Sequence, residues 1–131
     1  MRALIVDDSR AMRKIVGRIL VDAGYEVLEA GDGQEALDVL NSLDGDLPDL
    51  ACVDWNMPVM DGLTFITEVR KQTEWRAITL MMVTTESEQD RIVRALAAGA
   101  HEYLIKPFTG DALVEKLDLL GLTATTVGDL A

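Results

Sequence analysis

The sequence predicts an α/β fold: a doubly wound, five-stranded parallel sheet with five helices covering its two faces. Two observations predict it. Five short apolar runs recur along the 131 residues, at 4–6, 25–28, 50–53, 78–83 and 103–105, with stretches of helical periodicity between them. Several of the runs are apolar at consecutive positions, which is the pattern of strands buried on both faces.

The first strand is Leu4, Ile5 and Val6. A helix is expected over 9–23, where Met12, Ile15, Val16, Ile19 and Leu20 share one face and Arg10, Arg13, Lys14 and Arg18 the other. After the strand at 25–28, Asp32 is placed to cap a second helix. Glu35 follows three residues on, and Ala36, Leu37, Val39 and Leu40 face inward. The third strand, 50–53, leads to a helix that begins near Asp61 and carries Leu63, Phe65, Ile66 and Val69, with Trp75 at its end. The fourth strand is followed by a helix expected to start near Glu86 and to stop before Gly99. The last helix has Thr109 as its cap, Leu113, Val114, Leu117 and Leu120 inward, and Gly121 closing it. Residues 122–131 lack helical periodicity and read as a loose tail.

Length allows one domain with a real core and leaves no room for a second module. With 23 acidic against 12 basic residues, the formal net charge of −11 disfavours nucleic acid and anionic lipid as partners. The opening apolar run stops after four residues, too short for a signal peptide, and no later stretch approaches a membrane span. The single cysteine, Cys52, lies in an apolar strand and reads as a small buried hydrophobe. A reducing cytoplasm suits all of this.

Chemistry gathers at one edge of the predicted sheet. Asp7 and Asp8 directly follow the first strand, Asp54 follows the third, Thr84 follows the apolar run of the fourth, and Lys106 follows the fifth. In an open parallel sheet these positions lie outside the carboxyl ends of the strands, where such folds bind ligands. Each residue alone has a bland reading; Asp8 with Ser9, for example, would more often be a helix cap. Their convergence favours a site. Crowded carboxylates repel one another unless something neutralises them. Lys106 offsets one charge and a hard divalent cation the rest. Oxygen ligands without His or Cys point to Mg²⁺. A carboxylate in such a place can itself be a nucleophile and form an aspartyl-phosphate, with metal, lysine and hydroxyl stabilising the transferring group.

These motifs resemble those of the response-regulator receiver family. Asp7 and Asp8, Asp54 with Met57, Pro58, Asp61 and Gly62, Thr84, and Lys106 with Pro107 and Phe108 carry the resemblance, which covers about residues 2–120. It implies the flavodoxin-like sheet order 2-1-3-4-5, a receiver domain over 1–120 and a tail over 121–131. It further implies Asp54 as the phosphoacceptor, Asp8 as a direct Mg²⁺ ligand and Asp7 as an acid holding the ion partly through water. The backbone carbonyl of Asn56 completes the protein's share of the coordination. Lys106 and Thr84 would hold the phosphoryl oxygens, and Tyr103 would move inward when Thr84 is drawn toward the phosphate, shifting the face formed by the fourth helix, fifth strand and fifth helix. The implied function is a stand-alone regulator, most like the chemotaxis members, with no enzymatic activity beyond Mg²⁺-dependent self-phosphorylation and autodephosphorylation. Its phosphoryl donor would be a histidine kinase or histidine phosphotransfer protein, its target another protein, and its state monomeric.

Two features depart from the chemotaxis pattern. Thr85 stands where a smaller residue is common. The segment from Glu86 to Asp90 lacks the adjacent lysines of those members, which counts against a flagellar-motor partner. A phosphorelay intermediate or phosphate sink is the alternative within the family. Outside it, an FMN-binding flavodoxin would meet repulsion from Asp7 and Asp8. A haloacid-dehalogenase-type phosphatase would need an acid where Asn56 stands. Asn56 and Glu86 are the expected mouth residues. His101 is expected at the surface, Met57, Met60, Met81 and Met82 in packing contacts, and the basic stripe of the first helix is a candidate docking face.

Overall fold

A computed structural model describes residues 1–85 and 88–122 of the chain. The elements in order are β1 (Arg2–Val6), α1 (Arg10–Asp22), β2 (Glu26–Ala30), α2 (Gly33–Ser42), β3 (Leu50–Val53), α3 (Gly62–Lys71), a 3-10 turn (Thr73–Trp75), β4 (Thr79–Thr84), α4 (Gln89–Ala98), β5 (Glu102–Ile105) and α5 (Gly110–Leu119). The five strands form one parallel sheet in the order β2-β1-β3-β4-β5, as expected. Its register pairs Val6 with both Ala30 and Val53, Val53 with Met82, and Met82 with Tyr103, so the strands end nearly level.

Alternation along the strands divides the core in two. Leu4, Val6, Ala51, Val53, Leu80 and Met82 face α2, α3 and α4, meeting Leu40, Phe65, Ile66 and Ala95. Ala3, Ile5, Leu50, Cys52, Met81 and Val83 face α1 and α5, meeting Val16, Leu20, Leu113 and Leu117. Both faces of β1 and β3 are therefore covered, which explains why these strands read as unbroken apolar runs.

Four of the five helices start where side chains supply caps. Ser9 accepts from Met12 N–H at 3.2 Å, Asp32 from Glu35 at 2.8 Å, Asp61 from Thr64 at 2.8 Å and Thr109 from Ala112 at 3.1 Å. Each such bond is worth about 1 kcal/mol. Gly99 ends α4 at φ 124, as its glycine predicted.

The structure corrects three local expectations. Ile15 is 53% exposed, because the buried stripe of α1 is Val16 and Leu20 and Ile15 falls at its edge. Trp75 lies in the 3-10 turn after α3, not on the helix. Glu88 is extended and precedes α4 without a side-chain capping bond, so the helix begins at Gln89; Glu86 itself lies outside the described residues. Of the expected tail, Leu122 is tied down: its N–H donates to Leu117 and its carbonyl accepts from the Tyr25 hydroxyl. Residues 123–131 lie outside the described residues. Cys52 is buried, and burial pushes its thiol up to about 12, which leaves it unreactive. Among the described residues, no helix is long and apolar enough to cross a membrane.

Candidate phosphoryl-transfer site

Three carboxylates meet at the C-terminal edge of the sheet. The Asp7 N–H donates to Ala30 at 3.1 Å and the Asp54 N–H to Val6 at 2.8 Å, so the ladder hydrogen bonds carry both acids past the strand ends. Carboxylate oxygens of Asp7, Asp8 and Asp54 all lie within 4.8 Å of one another. Asp7 is 4% exposed, while Asp8 is open to solvent. Lys106 enters from the end of β5, fixed by its N–H to the Thr84 carbonyl at 2.9 Å. Its ammonium lies 2.8 Å from Asp7 Oδ2 and 3.8 Å from Asp54 Oδ2.

The other oxygen of Asp7 accepts the Ser9 N–H at 2.9 Å, and Arg13 Nη1 donates to the Asp7 carbonyl at 2.7 Å. Arg13 also pairs with Glu29 at 3.0 Å. This residue therefore braces the site instead of belonging to a free basic stripe. Nothing in the helical pattern distinguishes it from Arg10 or Lys14, which are exposed.

Burial pushes the Asp54 carboxyl above the usual carboxylate range, and the Asp7 charge adds to the rise. The Thr84 hydroxyl, the Lys106 charge and the Trp55 backbone N–H oppose it. Thr84 is fully buried and Tyr103 is 7% exposed, so the hydroxyl rests on Asp54 and the aromatic ring is already inside. Asn56 and Thr85 are both exposed at the rim. His101 is exposed, as expected, though its ring is engaged by Arg70 and the Leu80 amide.

The donor set suits a hard divalent cation. The cluster is made only of carboxylate oxygens, and Lys106 offsets just one of three charges. Gly62 explains the glycine after Asp61: a Cβ there would sit 2.1 Å from the Asp54 carbonyl oxygen, and its N–H donates to Trp55 at 2.8 Å. No residue larger than glycine fits where α3 starts against the acceptor strand.

The response regulator receiver domain family matches residues 3–118. The chain belongs to this family. It is 42% identical over 121 residues to the chemotaxis protein CheY1 of Helicobacter pylori, covering 92% of this chain and 96% of that protein. It is 41% identical over 119 residues to the chemotaxis protein CheY-3 of Vibrio cholerae, with 90% and 89% covered. Among solved structures, the chemotaxis response regulator CheY4 of Vibrio cholerae superposes with a TM-score of 0.82 at 38% identity, covering 90% of this chain and 96% of that one. The receiver resemblance and the sheet order expected from it are thereby established, and the chain is a homologue of chemotaxis-type response regulators.

Proposed function

We propose that the chain accepts a phosphoryl group on Asp54 and signals through the face formed by α4, β5 and α5. The observation that supports this most is the meeting of three carboxylates, Lys106 and the Thr84 hydroxyl at one strand edge. An Asp54 carboxylate oxygen attacks the phosphorus of a phosphohistidine. The oxygen–phosphorus bond forms, the phosphorus–nitrogen bond breaks, and the electron pair leaves with the imidazole. Lys106 and Thr84 hold the phosphoryl oxygens, where charge concentrates. Asp7, Asp8, Asp54 and the Asn56 carbonyl would hold Mg²⁺, which supplies neutralisation of the phosphoryl charge when bound.

Asp54 then carries roughly −1.5 to −2 charge in place of −1. Thr84 is drawn onto the new oxygens, Tyr103 is held in its inward position, and the α4–β5–α5 face is fixed in one of two packings. The phosphoryl donor is a histidine kinase or a histidine phosphotransfer protein, and the reader is a protein target of chemotaxis type. Residues 1–120 act as a monomeric cytoplasmic receiver unit, followed by a tail at 121–131. Incubation with acetyl phosphate tests the reading. Phosphorylation is expected with Mg²⁺ and not with excess chelator; equal labelling in both would remove the metal from the scheme.

A further inference from the structure

Trp55 joins the acceptor residue to α4 by a path that does not pass through Thr84. Its backbone N–H donates to the Asp54 carboxylate, and its carbonyl accepts the Gly62 N–H at 2.8 Å. The main chain is thus held on both sides. The indole ring is 4% exposed and packs in the core on the α2–α3–α4 side of the sheet. The Arg91 guanidinium carbon lies 5.2 Å from the Trp55 ring centroid and that of Arg94 5.7 Å, both within the range of cation–π attraction. Residues three apart share a helix face, so one side of α4 presents both cations to one ring.

The rest of α4 is lightly anchored. Its one fully buried residue is Ala95, with Ile92 and Ala98 partly buried against the core, while Val93 and Leu96 are 57% and 44% exposed. A helix held by so little apolar surface depends on its few strong contacts for its setting. Two cations against the ring next to Asp54 also bring positive charge toward a group that gains negative charge.

We infer that Arg91 and Arg94 are positioning residues that couple the state of Asp54 to the setting of α4 by gripping Trp55. The inference rests on the reading of Asp54 as phosphoacceptor. It names a second route to the output face, through the indole ring, beside the one through Thr84 and Tyr103. A phosphoryl group on Asp54 moves the Trp55 amide that bonds it. The ring follows, and the two guanidinium groups carry α4 with it.

The test uses a Trp75→Phe background, so that Trp55 is the sole tryptophan. Intact mass scores phosphorylation by acetyl phosphate and Mg²⁺, while amide exchange of α4 and Trp55 emission score the response. The Arg91→Ala, Arg94→Ala double variant is expected to gain the phosphoryl group as the parent does, yet to lose most of the change in α4 exchange and in emission. Lys at both positions should restore part of that change, because it keeps the cation. Gln at both, which keeps bulk without charge, should not, and it serves equally if the alanine variant does not fold. An undiminished α4 response in the phosphorylated alanine or glutamine variant overturns the inference. So does restoration by Gln as good as by Lys, which would reduce the arginines to packing, or a phosphorylated parent whose α4 exchange does not change. Failure of the parent to gain the phosphoryl mass would instead sink the reading of Asp54, and the inference with it.

Discussion

Lys106 bonds Asp7 at 2.8 Å and stops 3.8 Å short of Asp54, so the lysine favours the buried acid over the proposed acceptor. All three side chains are well covered, at 11%, 6% and 12% exposure, so their charges act through a medium less screening than water. A phosphoryl group on Asp54 offers the ammonium a stronger partner and pulls it, with the end of β5, away from Asp7.

Lys106→Ala should therefore separate chemistry from signal. Acetyl phosphate with Mg²⁺ should still phosphorylate the variant to a large fraction of the parent's extent, by intact mass. The change in β5 amide exchange should be largely absent. A variant that responds like the parent would show that Lys106 does not link the phosphoryl group to β5.

Gly62→Ala should be severe for a residue outside both core layers. A Cβ 2.1 Å from the Asp54 carbonyl cannot be accommodated by a side-chain movement, because the obstacle is backbone. We expect a loss of about 3 kcal/mol in urea unfolding, the upper end for overpacking, together with weakened phosphorylation. A variant with the parent's midpoint would mean that α3 can back away from the acceptor strand freely.

Much of this was legible in the sequence, and for identifiable reasons. Strand ends and caps are local, so Asp32 and Thr109 could be read directly and the structure shows both capping. The meeting of Asp7, Asp8, Asp54 and Lys106 followed from parallel topology alone, because parallel strands bring their carboxyl ends to one edge. What could not be read was the partition of contacts within that region. Whether Lys106 prefers Asp7 or Asp54 is decided by about an ångström, and no spacing rule reaches that far. Arg91 and Arg94 meet Trp55 across more than thirty residues and look, in sequence, like ordinary helix-surface charges. Arg13 likewise shares the periodicity of a solvated face while bonding the backbone of Asp7.

Val59 should be a site of easy stabilisation. The Met60 N–H reaches back to the Pro58 carbonyl at 2.7 Å, closing a tight γ-turn centred on Val59 at φ 67. A β-branched residue is strained there, and Val59 is 82% exposed, so its side chain contributes little packing in return. Val59→Asn is expected to raise unfolding stability by about 1 kcal/mol, since Asn is enriched at positive φ and is not branched at Cβ. A lower urea midpoint would show that the valine makes contacts worth more than its strain.

His101 should make stability depend on pH. Its Nδ1 accepts the Leu80 N–H at 3.1 Å and lies 3.2 Å from Arg70 Nη2, an arrangement that requires the neutral ring. Burial first, and then the Arg70 charge, lower its pKa from 6.5. Between that lowered value and 6.5 the unfolded chain binds more protons than the folded one, so stability falls as pH drops through this window. Above it, neither state is charged at His101 and the effect vanishes. His101→Gln should flatten the slope within the window; a slope identical to the parent's would assign the dependence to carboxylates instead.

The central claim is that Asp54 receives the phosphoryl group, and intact mass tests it most directly. Parent and Asp54→Asn are incubated with acetyl phosphate and Mg²⁺ and measured without delay, since an acyl phosphate hydrolyses. The account predicts one added phosphoryl mass on the parent and none on Asp54→Asn. A full adduct on Asp54→Asn, or none on a folded, Mg²⁺-supplied parent, would contradict it.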